Sequence, residues 1–270
     1  MKDFDVIVVG AGPTGIVAAN LLGRLGLHTL AVDREADVYD LPRAAALHDD
    51  VQRLLDRAGL LEPILPATQE HVGAEFVDRE GRRLTGVEFP GLRGPEGFPP
   101  LLAIAQPDIE RLWRGCLSQQ DKAELRVSHE VRSLRIGEEE VCVELLDRRD
   151  GRSYEVRSKW LIAADGASSF VRRSSGIAWE SLGYDHEWLV VDVERDPSVA
   201  LTPLCTQICD PARPVTMIPM PGRRYRWEFQ LLPGETREEM EDPRRVWELL
   251  APDRLRARAV SYTHLRAHET

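Results

Sequence analysis

Cysteine is scarce in this chain: four among 270 residues, Cys116, Cys142, Cys205 and Cys209, too few and too scattered to staple a fold of this size. They read as reduced thiols. Cys205 and Cys209 have a spacing that can hold a metal, yet no His or second cysteine pair lies nearby to complete four ligands, so they read as small side chains of a strand or loop. No apolar run reaches the roughly 18 residues of a membrane-spanning helix, and the N-terminus enters an apolar strand without a secretory h-region. Positive charge is in deficit, 35 basic against 45 acidic residues for a formal net charge of -10, which disfavours nonspecific contact with nucleic acid or anionic membrane. These absences leave a cytoplasmic globular protein with no metal, nucleic-acid or membrane partner as the expectation. The 43% hydrophobic content is enough for a large core, in one large or two ordinary domains.

What is present is concentrated at the start. Val6-Ile7-Val8-Val9 runs an apolar strand into Gly10-Ala11-Gly12-Pro13-Thr14-Gly15, three glycines at G-x-G-x-x-G spacing, and an apolar-periodic helix follows through Leu25. Gly10 permits the tight turn, Gly12 lets backbone approach a pyrophosphate, and Gly15 lets helix and strand pack closely. The free N–H groups of the helix start then face the anion. The motif alone is weak, but Gly26 closes the helix, a second strand runs from His28 to Val32, and Asp33 ends it about 20 residues on, where a dinucleotide fold places its ribose acid.

Arg43, in Leu41-Pro42-Arg43-Ala44-Ala45-Ala46, is on spacing alone equally a surface charge and a cofactor contact. Val51, Leu54, Leu55 and Ala58 predict a packing helix between Asp49 and Leu60, with Asp49 or Asp50 as N-cap and Gly59 as stop, and alternation at 74–77 with a turn at 78–82 predicts a hairpin that leads into a Pro- and Gly-rich loop at 90–100. Gln106 opens a further helix whose stripe of Ile109, Leu112, Trp113, Cys116 and Leu117 is read as buried, with Trp113 as core. Strands at 125–127, 130–135, 140–146 and 154–157 predict an antiparallel meander. A separate buried strand, Trp160 to Ala164, then ends in Asp165-Gly166 before a helix whose first turn is basic, Arg172-Arg173. Taken alone, Asp165 is a cap or turn residue; the basic start opposes the helix dipole and suggests that these arginines meet an anion or carboxylate.

With Gly10 to Gly15, Arg43, Gln106 and Asp165-Gly166 in hand, the chain resembles the single-component flavoprotein aromatic hydroxylases of the p-hydroxybenzoate hydroxylase type, nearest the 3-(3-hydroxyphenyl)propionate hydroxylases, over about residues 4 to 259. The resemblance implies an α/β, Rossmann-like FAD-binding fold with an inserted β meander and a substrate-side β-sheet. It divides the chain into a discontinuous FAD-binding domain (1–72 and 101–176) and a substrate-side domain (73–100 and 177–259). Gly10, Ala11, Gly12, Pro13, Thr14, Gly15, Asp33 and Arg34 would hold the ADP half of FAD. Arg43, Gln106, Val131 and Asp165-Gly166 would also contact the cofactor, with Arg172 near the last pair. NADH or NADPH would reduce the flavin, dioxygen would add to give a C4a-hydroperoxyflavin, and a small phenolic ring would accept the oxygen. No catalytic constellation stands out, and oligomeric state is not readable.

One departure qualifies the match. The family's further FAD motif, a Gly-Asp followed by alanine, does not occur in the C-terminal part of the sequence, so the chain is expected to be an N-terminal fragment, itself inactive, of such an enzyme. Val260 to Thr270 reads as an in-frame translation of a transposon-end sequencing adapter, a non-native tail at 260–270, which removes the metal reading of its His264 and His268. A flavin-dependent reductase or dehydrogenase of the same fold, and a non-catalytic nucleotide-binding fragment, are the alternatives.

Overall fold

The computed structural model describes residues 3–40, 43–183, 186–195, 200–250 and 257–266. Pro42 and His268 lie outside the described residues. In chain order, β1 (Phe4–Val9), α1 (Pro13–Arg24) and β2 (Thr29–Val32) are followed by β3 (Ala46–His48), α2 (Asp49–Arg57), β4 (Thr68–Glu70), β5 (Gly73–Val77) and β6 (Arg83–Glu88). Next come β7 (Leu101–Ile104), α3 (Gln106–Leu117), β8 (Ala123–Arg126), β9 (His129–Ile136), β10 (Val141–Asp147), β11 (Ser153–Ala163) and α4 (Phe170–Ser174). The remainder is β12 (Glu187–Arg195), β13 (Cys205–Ile208), β14 (Val215–Pro219), β15 (Arg224–Gln230), α5 (Arg237–Met240), α6 (Pro243–Leu250) and β16 (Ala257–Arg266).

The chain forms two compact units that interleave in sequence. The first comprises residues 1–39, 54–64 and 107–180, the second 40–53, 65–106 and 181–270, so residues 40–53, 65–72 and 101–106 cluster with the second unit. The first unit holds one six-stranded sheet in the order β8-β2-β1-β11-β10-β9, parallel from β8 to β11 and antiparallel beyond. Its core gathers Ile7, Leu30 and Val32 of the central strands β1 and β2, which are buried on both faces, with Val143 and Leu145 from the inward face of β10. Helix α1 turns a face of small residues inward, Gly15, Ala19 and Gly23 at one-turn spacing, which lets it lie close to the sheet.

Two expectations about this sheet are corrected. The segment near 125 does not join the meander: β8 pairs in parallel with β2 at the opposite edge, a choice made by long-range strand pairing that adjacency in sequence does not encode. The strands expected separately at 154–157 and 160–164 are one strand of 11 residues. Its junction is Ser158, which pairs with Val141 on one side and Phe4 on the other, so β11 is antiparallel to β10 before that point and parallel to β1 after it. Ser158 is fully buried, with its hydroxyl donated to the Trp160 carbonyl at 2.8 Å.

Helix burial differs from the periodic reading in detail. In α2, Leu55 is buried, as is Ala58 just beyond its end, while Val51 and Leu54 are exposed, and the polar Gln52 takes an inward place by donating to the carbonyls of Leu47 and Pro99 at 3.0 and 2.9 Å. In α3, Leu112 is exposed. Trp113 is core, 2% exposed, with its indole N–H given to the Leu60 carbonyl.

The second unit carries a seven-stranded sheet, β16-β12-β15-β14-β13-β5-β6, and a three-stranded sheet, β3-β7-β4. On the large sheet, Leu189, Val191, Val193, Trp227 and Phe229 alternate toward a core closed by Met240, Val246 and Leu250 of α5 and α6. A capping box of Thr236 and Glu239 starts α5. Residues 257–266, which include the first part of the expected tail, pair antiparallel with β12. Among the described residues no helix is long and apolar enough to cross a membrane.

Candidate functional site

In the first unit the glycine turn sorts its three glycines into two kinds. Gly10 has φ +93°, and a Cβ there would stand 2.3 Å from the Ala164 carbonyl oxygen; a Cβ on Gly15 would stand 1.8 Å from the Gly10 carbonyl oxygen. The fold itself demands both. Gly12 has φ -69°, an ordinary value, and a Cβ on it would meet nothing within 4 Å. Its bareness is therefore not a demand of the packing within the turn. Gly12 is also the N-cap of α1 with no side-chain cap, and the first turn, with Pro13 at its start, contains no acidic residue, so the helix N-terminus is left open to an anion.

Asp33 is tied into the same turn. One carboxylate oxygen accepts the Ala11 N–H at 2.8 Å and the other the Glu35 N–H at 2.9 Å. The ribose acid of the sequence reading is therefore also the brace of the glycine loop, and each oxygen keeps a lone pair for a hydroxyl. Arg34 points elsewhere, in a surface ion pair with Glu35. Arg114 of α3, which the sequence reading passed over, donates to the Ala11 carbonyl at 3.3 Å and lies 4.0 Å from the Asp33 carboxylate. Its signal was a basic residue directly beside the buried Trp113.

Asp165 and Gly166 lie against the turn: a Cβ on Gly10 would be 2.9 Å from the Asp165 Cα. Asp165 accepts the Ser169 hydroxyl at 2.5 Å and the Val171 N–H at 3.1 Å, and so braces the entry to α4. Gly166, at φ +79°, has open space where a Cβ would be. The basic residues at α4 do not oppose its dipole, because this helix is only five residues long and Arg172 and Arg173 fall in its last turn. Arg173 donates to the Ser168 carbonyl, and Arg172 to that of Ile177 while lying over the Trp179 ring. These partners are carbonyls and a ring; of the expected anion or carboxylate, no carboxylate is among them. Val131 is buried on the edge strand β9, its side chain part of the core.

In the second unit, β7 delivers Gln106 to a coil segment at Arg43 and Ala44. The Gln106 side-chain oxygen accepts both amides, Arg43 N–H at 3.0 Å and Ala44 N–H at 2.7 Å. Gln106 is buried and the Arg43 side chain is exposed. The Arg43 carbonyl accepts from Arg226 of β15, whose guanidinium is fully buried and pairs with Asp192 of β12 at 2.7 and 3.0 Å. Sequence reasoning missed this pair. A carboxylate inside the apolar run of β12 and an arginine between Tyr225 and Trp227 were its signals.

Glu228 lies 3.9 Å from Arg226 on the same strand face. Burial pushes its carboxyl above the usual range, Arg226 opposes that shift, and Asp192 adds to it. The Cys205 thiol is raised by burial and by Glu228, whereas burial lowers His71. Cys209 is exposed, and among the described residues no group of three or more His, Cys, Asp or Glu is placed to hold a metal ion.

The sequence profile of the family described as an FAD binding domain matches residues 3–266. The chain belongs to the FAD-binding domain family. It is 31% identical over 266 residues to a 3-(3-hydroxy-phenyl)propionate/3-hydroxycinnamic acid hydroxylase of Shigella sonnei, an alignment covering 96% of this chain and 47% of the relative. The same enzyme from a strain of Escherichia coli is 32% identical over the same shares. The chain thus spans about half the length of the curated relatives it matches. In structure it is similar to p-nitrophenol 4-monooxygenase from Pseudomonas putida, with TM-score 0.88, 23% identity and coverage of 98% of this chain and 68% of that one. It is also similar to a flavin-dependent monooxygenase, PieE, solved with FAD and substrate, with TM-score 0.84, 23% identity and coverage of 98% and 50%. These likenesses establish the Rossmann-like α/β fold.

Proposed function

We propose that this chain is the cofactor-binding part of an FAD-dependent, NAD(P)H-using monooxygenase that hydroxylates a small phenolic substrate in the cytoplasm. The observation that carries the cofactor reading is Gly12: alone among the three motif glycines, it is not required by the packing of the turn, and it fronts an uncapped helix start. The amides of that start receive the pyrophosphate, and Asp33, already braced by Ala11, takes a ribose hydroxyl. Gly166 offers backbone without a side chain in the way, and Asp165 holds that turn in place. Arg43 and Ala44, fixed by Gln106, present an exposed, ordered peptide to the cofactor. When bound, FAD supplies the redox chemistry, taking a hydride from the nicotinamide donor and activating dioxygen. The protein orients the partners and keeps water out. The substrate class rests on the relatives named as hydroxylases of phenolic acids.

The purified chain is expected to take up FAD, seen as the visible absorption bands of bound flavin and quenched flavin fluorescence; a well-folded chain that leaves FAD free would overturn the cofactor reading. Hydroxylated product formed with substrate-stimulated NAD(P)H oxidation would support the hydroxylase. Oxidation of NAD(P)H without oxygen in the product would replace it with a reductase.

A further inference from the structure

The segment Arg43–Ala45 belongs to no helix or strand, yet four of its six backbone polar groups have a defined partner. The amides of Arg43 and Ala44 go to Gln106, the Arg43 carbonyl to Arg226, and the Ala45 carbonyl accepts from Ile104. A surface coil needs none of this, since water would satisfy the same groups. Arg226 is 0% exposed and Asp192 5%, so both charges are removed from water at a desolvation cost that an apolar pair of like size would avoid. The guanidinium geometry explains what the pair does instead. Nε and one terminal nitrogen form a fork on the two Asp192 oxygens, which fixes the plane of the group and aims the other terminal nitrogen at the Arg43 carbonyl, 2.9 Å away.

We infer that Arg226, anchored by Asp192, is a positioning residue for the cofactor-facing peptide: it holds Arg43–Ala44 from the carbonyl side while Gln106 holds it from the amide side. The inference rests on the reading that this peptide meets the flavin. It accounts for an arginine rather than a lysine, because a compact ammonium cannot grip both Asp192 oxygens and still reach the carbonyl. It also accounts for the contrast between an exposed Arg43 side chain and a backbone gripped from behind, an arrangement that keeps a surface peptide rigid before its ligand arrives.

The test uses R226K and, as a variant that removes both charges of the Asp192 pair, R226M combined with D192L. Two quantities are read: amide hydrogen exchange at Arg43 and Ala44 in the flavin-free chain, and FAD affinity by quenching of flavin fluorescence. Both variants are expected to speed exchange at these amides by about ten-fold or more, with exchange in the first unit unchanged, and to weaken FAD binding by about ten-fold. Combining R226K with Q106L should weaken FAD by less than the product of the two single effects, since both hold one peptide. Unchanged exchange at Arg43 and Ala44 in both variants would overturn the inference, as would faster exchange with FAD affinity unaltered. If the parent chain takes up no FAD at all, the cofactor reading fails, while the exchange measurement still decides whether Arg226 and Asp192 fix the peptide.

Discussion

The glycine turn of the first unit and the held peptide of the second reach the same end, a backbone surface ready for a ligand, by opposite means. In the turn, geometry comes from missing atoms: Gly10 and Gly15 allow contacts that any side chain would forbid. In the second unit it comes from added ones, buried polar side chains that grip a coil whose own sequence imposes nothing, across separations of 63 and 183 residues. Steric requirements of the first kind are local and tolerate no substitution. Polar requirements of the second kind are distributed, and their loss is graded.

Substitutions within the turn should give the largest effects and split it in two. G15V forces a side chain into the Gly10 carbonyl and should cost about 3 kcal/mol or more, so that little folded chain accumulates. G12A meets only open space and should leave the melting temperature nearly unchanged while weakening FAD about 100-fold. An unfolded G12A protein would erase the distinction between the two kinds of glycine. In the second unit, Q106L strips the acceptor from two amides and should cost about 1–3 kcal/mol. In a chain of this size each kcal/mol lowers the melting temperature by about 2–4 °C, so a calorimetric scan would register it. A fall as steep as that of G15V would show that the held peptide is as indispensable as the turn.

The smallest effect concerns Glu228 and depends on pH. Burial raises its folded-state pKa above the ordinary glutamate value, so its contribution to stability is present below that value and is lost as pH rises through the raised one. E228Q should therefore match the parent chain near about pH 4 and exceed it near about pH 8. Denaturant unfolding at the two pH values checks this, and a gain only at the acidic end would reverse the assigned sign.

Spacing in the sequence was enough to reveal the strand, glycine turn and helix at residues 6–25, the acid at Asp33, the Asp165-Gly166 turn and the burial of Trp113, because each depends on a few neighbouring residues and on hydrophobic period. It did not reveal that β8 would sit beside β2, that Ser158 would join two strand pairings in one strand, or that Arg172 and Arg173 would close a short helix. Nor did it reveal Arg114 bracing Ala11, or Arg226 and Asp192 behind Arg43. Those are matters of which strand lies next to which, and in a sheet that is decided by the closure of long loops and by the burial of whole faces, to which every strand contributes and no single segment contains the answer. The sequence by itself determined where the backbone turns sharply from strand to helix with no side chain in the way; only the tertiary structure decided which charged side chains hold the surrounding backbone still, because their partners come together only once the sheets have formed.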